Sequence, residues 1–345
     1  MKAVLYHRPG GPEVLEYTEV PDPEPGPKDV VVRVAATALN RLDVVQRNGW
    51  FTMPGFTLPH IAGMDVAGEI VQLGAEVEGL REGERVVVDP SLAGAPEGSR
   101  YHGMGDLYGE LGVIGATVAG GYAELCLVPA THVHRVPDDM PIERAAAFPT
   151  AYLTAWHALF EIGRLQAGET LLVHAAGAGV SVAAIQLATQ RGATVLATAG
   201  TDEKCERALG IGAAYACNNR TTDVAAWVRE VTDGRGVDMV FDHVGPALAE
   251  ASFASLAVRG RFVTCGNTTG DQLTIPSIGY LYHMGLQVLG SDPYRYHEFA
   301  QAWDAFCAGG FDVVIDSEFP LADAAAAQQK MLGSDFFGKI LLRPT

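Results

Sequence analysis

The run from Leu171 to Ala188 constrains the fold of this chain more than any other segment. Leu171-Leu172-Val173-His174 reads as a buried strand, the glycines after it as a tight turn, and the residues up to Ala188 as a helix packed closely on a sheet. Such a turn leaves bare backbone N–H groups at a helix N-terminus, where a pyrophosphate fits. Gly177, Ala178, Gly179, Val180 and Ser181 are therefore expected to hold a dinucleotide. The match to G-x-G-x-x-G is imperfect, because Val182 stands where the last glycine belongs. An ordinary strand-to-helix turn in an α/β core is the competing reading.

The rest of the chain falls into two styles. Residues 1–135 read as short strands between turns, including Asp29–Val34, Val66–Gly74 and Arg85–Val88, which suggests a small β-barrel or sandwich. The glycine-dense stretch from Gly94 to Gly121 reads as a long surface lobe. Ile142–Leu159 has a helical period broken near Pro149. Beyond the glycine turn, strands at Thr194–Ala199, Val237–Asp242, Arg261–Gly266 and Leu286–Gly290 alternate with helices at Asp202–Leu209 and Ala247–Leu256. That alternation gives an α/β fold with a doubly wound parallel sheet. The tail carries one helix, about Tyr296–Ala308, and closing strands. A chain of 345 residues has room for both domains.

Bulk properties exclude several partners. Hydrophobic residues make up 48% and charged residues 19%, as in a packed globular protein. The net charge of −17 repels a phosphate backbone, so no nucleic acid is expected. No membrane span is expected, and the start, Met1 to Arg8, lacks the apolar core of a secretory signal, so the expected location is cytoplasmic. The five cysteines are scattered without a C-x-x-C pair, which argues for reduced thiols and against a cysteine zinc site. His132 and His134, two apart on a strand, and His102 with Asp106 are metal candidates by spacing; solvated side chains are the expected outcome for both.

The strand after the turn bears on which nucleotide binds. NAD sites usually carry an Asp or Glu at its tip for the ribose 2′-OH. Here the strand ends Ala197-Thr198-Ala199-Gly200-Thr201, with no carboxylate at the tip. Gly200 and Thr201 leave room for a 2′-phosphate, and Lys204 is within reach of one, so NADP(H) is the expected cofactor. Thr201 also suits a helix N-cap, and Asp202 would favour NAD if it turned inward. Cys265 and Gly266, and likewise Gly290, end strands of the sheet, where ligands gather; Cys265 has no basic partner and is not expected to be a nucleophile.

Blocks in order along almost the whole chain resemble the medium-chain dehydrogenase/reductase superfamily. They are Ala38–Asp43, Pro59–Gly68, Gly120–Glu124, Leu153–Trp156, the glycine turn, Asp242–Gly245 and Phe337–Lys339. In this register Ser181, rather than Val182, takes the last glycine position of the turn. The turn variant is similar to a branch of zinc-type alcohol dehydrogenases. The resemblance implies a GroES-like domain over 1–150 and 291–345 and a Rossmann domain over 151–290, with the active site in the cleft between them. It also implies a homodimer joined near Leu286–Gly290, a small-molecule substrate, and cofactor contacts from Asn218, His243, Val244, Phe337 and Lys339.

Zinc members of that superfamily place ligands where this chain has Asn40, Met64 and Thr150, none of them a usual zinc ligand. Their structural zinc uses four lobe cysteines; Gly94, Glu97, Arg100 and Tyr108 stand there instead. No metal is expected. Without a Lewis acid a conjugated acceptor is the easier electrophile, because the developing charge spreads. The resemblance to zinc-less quinone oxidoreductases implies catalytic roles for Asn40 and Asp43, and places Thr154 against the nicotinamide. Asn40 is expected to donate a hydrogen bond to the substrate oxygen, and Asp43 with Arg47 to order the loop. Trp50, Phe51, Tyr152, Tyr280 and Tyr282 are candidates for an aromatic pocket, with Tyr152 or a water as proton donor. The expected activity is zinc-independent, NADPH-dependent reduction of a quinone or α,β-unsaturated carbonyl. An alcohol dehydrogenase and a non-catalytic NADPH-binding protein are the alternatives.

Overall fold

Valine-rich runs decide the first half of the chain. In the computed structural model, which describes residues 1–105, 110–275 and 277–344, the valine-rich runs at 30–34 and 86–88 lie in strands. They are β1 (Lys2–Tyr6), β2 (Glu16–Glu19), β3 (Asp29–Ala38), β4 (His60–Ile61), β5 (Asp65–Leu73), β6 (Arg85–Val88), β7 (Leu125–Pro129) and β8 (Val133–Arg135). The long strand β3 is buried almost throughout because it is paired on both edges, antiparallel with β5 and with β7. Strand β1 pairs with β2 and β4 in a separate small sheet.

The glycine-dense segment is exposed at Glu97, Arg100, His102 and Gly103 and returns to the core from Leu111. Leu92 and Ile114 are fully buried and join the same core cluster as Val30, Val66 and Val86. Gly115 and Gly120 make this possible, since a Cβ on either would meet the Gly63 backbone within 2.4 Å. These two glycines serve close backbone approach. Asp106 and Tyr108 lie outside the described residues.

The helical run breaks where Pro149 dictates, into Ile142–Ala147 and Pro149–Trp156, followed by a wider π turn over His157–Ile162. The second unit then follows the strand–helix alternation: β9 (Thr170–Val173), β10 (Thr194–Ala199), β11 (Tyr215–Asn218), β12 (Val237–Asp242), β13 (Leu256–Thr264) and β14 (Gln287–Gly290). These form one parallel sheet in the order β11-β10-β9-β12-β13-β14, which is the doubly wound order. The order reverses between β9 and β12, so the turns after these two strands flank the switch point.

Strands β15 (Ile315–Pro320) and β16 (Lys339–Arg343) return to the first unit, where β16 pairs with the end of β3 at Thr37 and Ala38. The chain therefore divides into a barrel unit, residues 1–153 and 294–345, and a doubly wound unit, residues 154–293. In the barrel unit Phe148, Tyr152, Phe306 and Phe311 stack in sequence, with centroid separations of 4.9 to 6.3 Å. Among the described residues no helix is long and apolar enough to cross a membrane.

Candidate active site

A buried polar cluster sits where three strand ends meet in the barrel unit. Strand β3 ends at Ala38, opposite Asp65 at the start of β5, and Lys339 begins β16 beside it. Lys339 Nζ donates to Asn40 Oδ1 at 2.7 Å, to the Leu39 carbonyl at 2.8 Å and to Asp65 Oδ2 at 2.9 Å. Asn40 Nδ2 donates to the same Asp65 oxygen at 3.0 Å. Asp65 Oδ1 accepts from the Thr150 backbone N–H at 2.8 Å and from its hydroxyl. Lysine is a donor only and carboxylate an acceptor only, so the orientation of the Asn40 amide follows without ambiguity.

Asp43 supports this cluster from the next turn. It stands at N3 of the helix Arg41–Arg47, and its Oδ2 accepts from the Asn40 N–H at 2.8 Å and from the Tyr122 hydroxyl at 3.2 Å. Burial pushes the Asp43 carboxyl up to about 7. The expected pairing with Arg47 is not formed: Arg47 turns the other way and donates to the Gly10 carbonyl. Asp43 does order the loop, through a cap rather than an ion pair.

Several expectations are corrected here. Lys339, expected near the cofactor, gives all three of its donors to Leu39, Asn40 and Asp65. Phe337 is fully buried in the core, and its N–H is held by Asp316. Tyr152 is a member of the aromatic stack, its hydroxyl turned to the Asp312 carbonyl, so it is not placed as a proton donor. Trp50 and Phe51 are exposed on the barrel unit; in the doubly wound unit Tyr280 packs against the core and Tyr282 lies against His283. His132 is not solvated: it is fully buried, bonded to Thr131 and the Ala93 carbonyl, and rests on Tyr296. His134 stacks on Phe299, and burial pulls both imidazoles down to about 4.

The residues at the zinc positions do not fit the metal. They present an amide, a thioether and a hydroxyl, where zinc takes thiolate, imidazole or carboxylate. The amide oxygen is already held by an ammonium, and Met64 packs into an apolar cluster with Met53, Leu111, Val113 and Ala116. Among the described residues no three His, Cys, Asp or Glu side chains converge on one point.

In the doubly wound unit the glycine turn joins β9 to the helix Gly179–Gln190. Its left-handed residue is Ala175, at φ 49°, rather than a glycine. Ala178 at the N-cap gives no side-chain cap, so the N–H groups of Gly179, Val180 and Ser181 meet no side-chain acceptor from it. A pyrophosphate fits that terminus by charge and by hydrogen bonding. Ser181 is itself buried, and its hydroxyl donates to the His174 carbonyl and accepts from His243 Nε2 at 3.0 Å.

His174 locks the strand below the turn. Ser252 gives its proton to the Leu248 carbonyl, so its oxygen accepts from His174 Nε2, and Nδ1 accepts from Thr198. Burial pulls this imidazole down to about 3, which keeps it neutral. Beside the turn, Asp242 accepts from the N–H groups of Val244 and Gly245 and fixes the His243 loop after β12. Burial pushes the Cys265 thiol up to about 12, consistent with an inert thiol. Gly266 lies against the His243 backbone, and Gly290 has open space around it. Thr154 is half-buried on the helix Pro149–Trp156.

At the tip of β10, Thr201 caps the next helix by accepting from the Lys204 N–H. Asn218, at the tip of β11, holds Asp202 at 2.7 Å. Arg220, which the sequence reading passed over, brings its guanidinium to within 3.4 Å of the space a Cβ on Gly200 would fill. Its signal was its place two residues beyond Asn218. Asp65 was missed too, though a lone carboxylate in the apolar run Ile61–Ala67 marks a buried partner.

Known proteins similar to this chain point to one family. An alcohol dehydrogenase GroES-like domain matches residues 26–138, and a zinc-binding dehydrogenase domain matches residues 179–308. A quinone oxidoreductase of Pseudomonas aeruginosa is 32% identical over 352 residues, covering 99% of each chain. A solved NAD-dependent alcohol dehydrogenase is 35% identical with a TM-score of 0.92 over 100% of both chains. The quinone oxidoreductase of Escherichia coli, solved with NADPH, is 27% identical with a TM-score of 0.83, again over 100% of both. The chain belongs to the medium-chain dehydrogenase/reductase superfamily and is an NAD(P)H-dependent oxidoreductase resembling the quinone oxidoreductases.

Proposed function

We propose that this protein is a zinc-independent reductase that uses NADPH to reduce a quinone or an α,β-unsaturated carbonyl. The observation that carries the reading is the Lys339–Asn40–Asp65 cluster, which fills the metal position with an ion pair and an amide. When bound, NADPH supplies a hydride. Asn40 then donates a hydrogen bond to the acceptor oxygen, where charge develops. Asp43 and Thr150 hold the cluster in register. The cofactor role is supported by the uncapped helix after the glycine turn, by Lys204 and Arg220 at the tip of β10, and by the NADPH complex of the relative from Escherichia coli.

The protein is expected to oxidise NADPH with a panel of quinones and enones, followed by loss of the reduced-nicotinamide absorbance. Activity should survive chelation, and Asn40→Ala should lower kcat/KM about ten- to a hundred-fold. Absence of turnover across the panel would overturn the reading. The second reading is an NAD-dependent alcohol dehydrogenase, favoured by the structural neighbour of that name and by Asp202 at the cofactor end. It requires alcohol oxidation with NAD. We further propose that two copies associate through β14, whose outer edge is unpaired among the described strands.

A further inference from the structure

The charged pair beneath Asn40 does more than hold it still. The amide is gripped at both ends: an ammonium on its oxygen, a carboxylate on one of its N–H groups. Both contacts favour the charge-separated resonance form of the amide, with negative charge on oxygen and positive charge on nitrogen. Each strengthens the other, as in any polarised hydrogen-bond chain. The second Nδ2 hydrogen has only the Ala38 carbonyl, at 3.4 Å, and is the one donor in the cluster left weakly engaged.

All three members are buried, Asn40 least. Asp65 is fully buried and Lys339 is 4% exposed with its donors spent, whereas Asn40 retains 8%. The apolar cluster of Met53, Met64, Leu111, Val113 and Ala116, against which Leu42 packs, adjoins Asp65 and Asn40 along the chain and keeps the local dielectric low. The strand ends that carry Lys339 and Asp65 fix the pair in place before any substrate arrives.

We propose that Lys339 and Asp65 are positioning residues that act through Asn40, polarising its amide into a stronger hydrogen-bond donor toward the oxygen of a conjugated acceptor. The proposal rests on the reading of Asn40 as that donor. No proton leaves the amide and no bond in the cluster breaks; the effect is electrostatic stabilisation of negative charge on the acceptor oxygen.

The test uses the full-length protein with NADPH and a graded series of substituted quinones and enones, plotting log kcat against acceptor reduction potential. Asp65→Asn with Lys339→Met removes both charges together, which avoids stranding one buried charge. Should that variant not fold, Asp65→Asn with Lys339→Gln keeps a neutral hydrogen-bonding group at each end. Thermal midpoint and NADPH affinity by fluorescence report on the fold. The expected result is an unchanged NADPH affinity and a steeper plot, with kcat reduced about ten-fold on the weakest acceptors and little on the strongest. A uniform fall across the series, or none, overturns the proposal, because a structural defect does not discriminate between acceptors. Asn40→Ala separates the two readings. If it steepens the plot and the pair variants do not, the polarising role alone fails. If it leaves the slope unchanged, Asn40 is not the donor and both readings fall.

Discussion

Single buried side chains set how this protein responds to pH. Asp89 is fully buried, accepts from the Ser91 N–H and from the Tyr294 hydroxyl, and is pushed up to about 8 by burial. Asp43 is pushed up to about 7. A carboxyl whose folded pKa exceeds its unfolded value near 3.9 binds its proton more tightly in the native state. Both groups therefore withdraw stability as pH rises from about 4 through their folded values. The buried histidines oppose this on the acid side. His132 and His134 are pulled down to about 4 and His174 to about 3, so stability is lost as pH falls below the unfolded value. Stability is expected to peak near about pH 6.5. Asp89→Asn keeps an acceptor for Ser91 and Tyr294 and should abolish the decline between about pH 7 and 8. Urea unfolding across pH 5.5 to 9 measures it; parallel declines in the variant and the parent would sink this account.

The strand–turn–helix elements decide which cofactor is held. The sheet order brings the tips of β10 and β11 side by side, so Thr201, Lys204, Asn218 and Arg220 gather although two strands supply them. Asn218 ties Asp202 to its own strand, and Arg220 covers Gly200. A guanidinium at that tip suits a 2′-phosphate, with Lys204 in the first turn of the adjoining helix. Arg220→Ala and Lys204→Ala are each expected to raise KM for NADPH about ten-fold or more while leaving KM for NADH nearly unchanged. Equal shifts with both cofactors would place the phosphate elsewhere. Thr201 caps the helix by accepting from the Lys204 N–H, which leaves its own O–H as a donor.

At the scale of the whole molecule, the proposed association runs through the edge of the parallel sheet left unpaired among the described strands. Strand β14 has β13 on one side only, and Val288 on it, Val258 on β13 and Ile278 and Tyr282 on the preceding helix are exposed apolar groups. An open edge carrying apolar side chains is a template for pairing with a second copy. Val288→Lys should convert a dimer to a monomer without loss of the fold, read by size-exclusion chromatography with light scattering. A parent that is itself monomeric, or a variant that stays dimeric, would remove β14 from the interface.

What the sequence determined by itself is local. The turn after β9, the alternation that yields the doubly wound sheet, the break at Pro149 and the Thr201 cap all follow from residues within a few positions of one another. Hydrophobic period and turn chemistry act at that range, so they were legible. The identity of the buried polar partners was not. Lys339 and Asp65 lie 274 positions apart, and Asn40 and Lys339 are 299 apart. Nothing near Lys339 in the chain distinguishes a cofactor contact from one half of an ion pair. Only the antiparallel registers of β3 with β5 and β16 bring the three groups together. Asp43 shows both ranges: its cap on the Asn40 N–H is three residues away, whereas the Tyr122 hydroxyl that it accepts from is 79 positions away. The reason is desolvation: a buried polar group must find its partner inside the fold, and that choice is made by packing between distant segments.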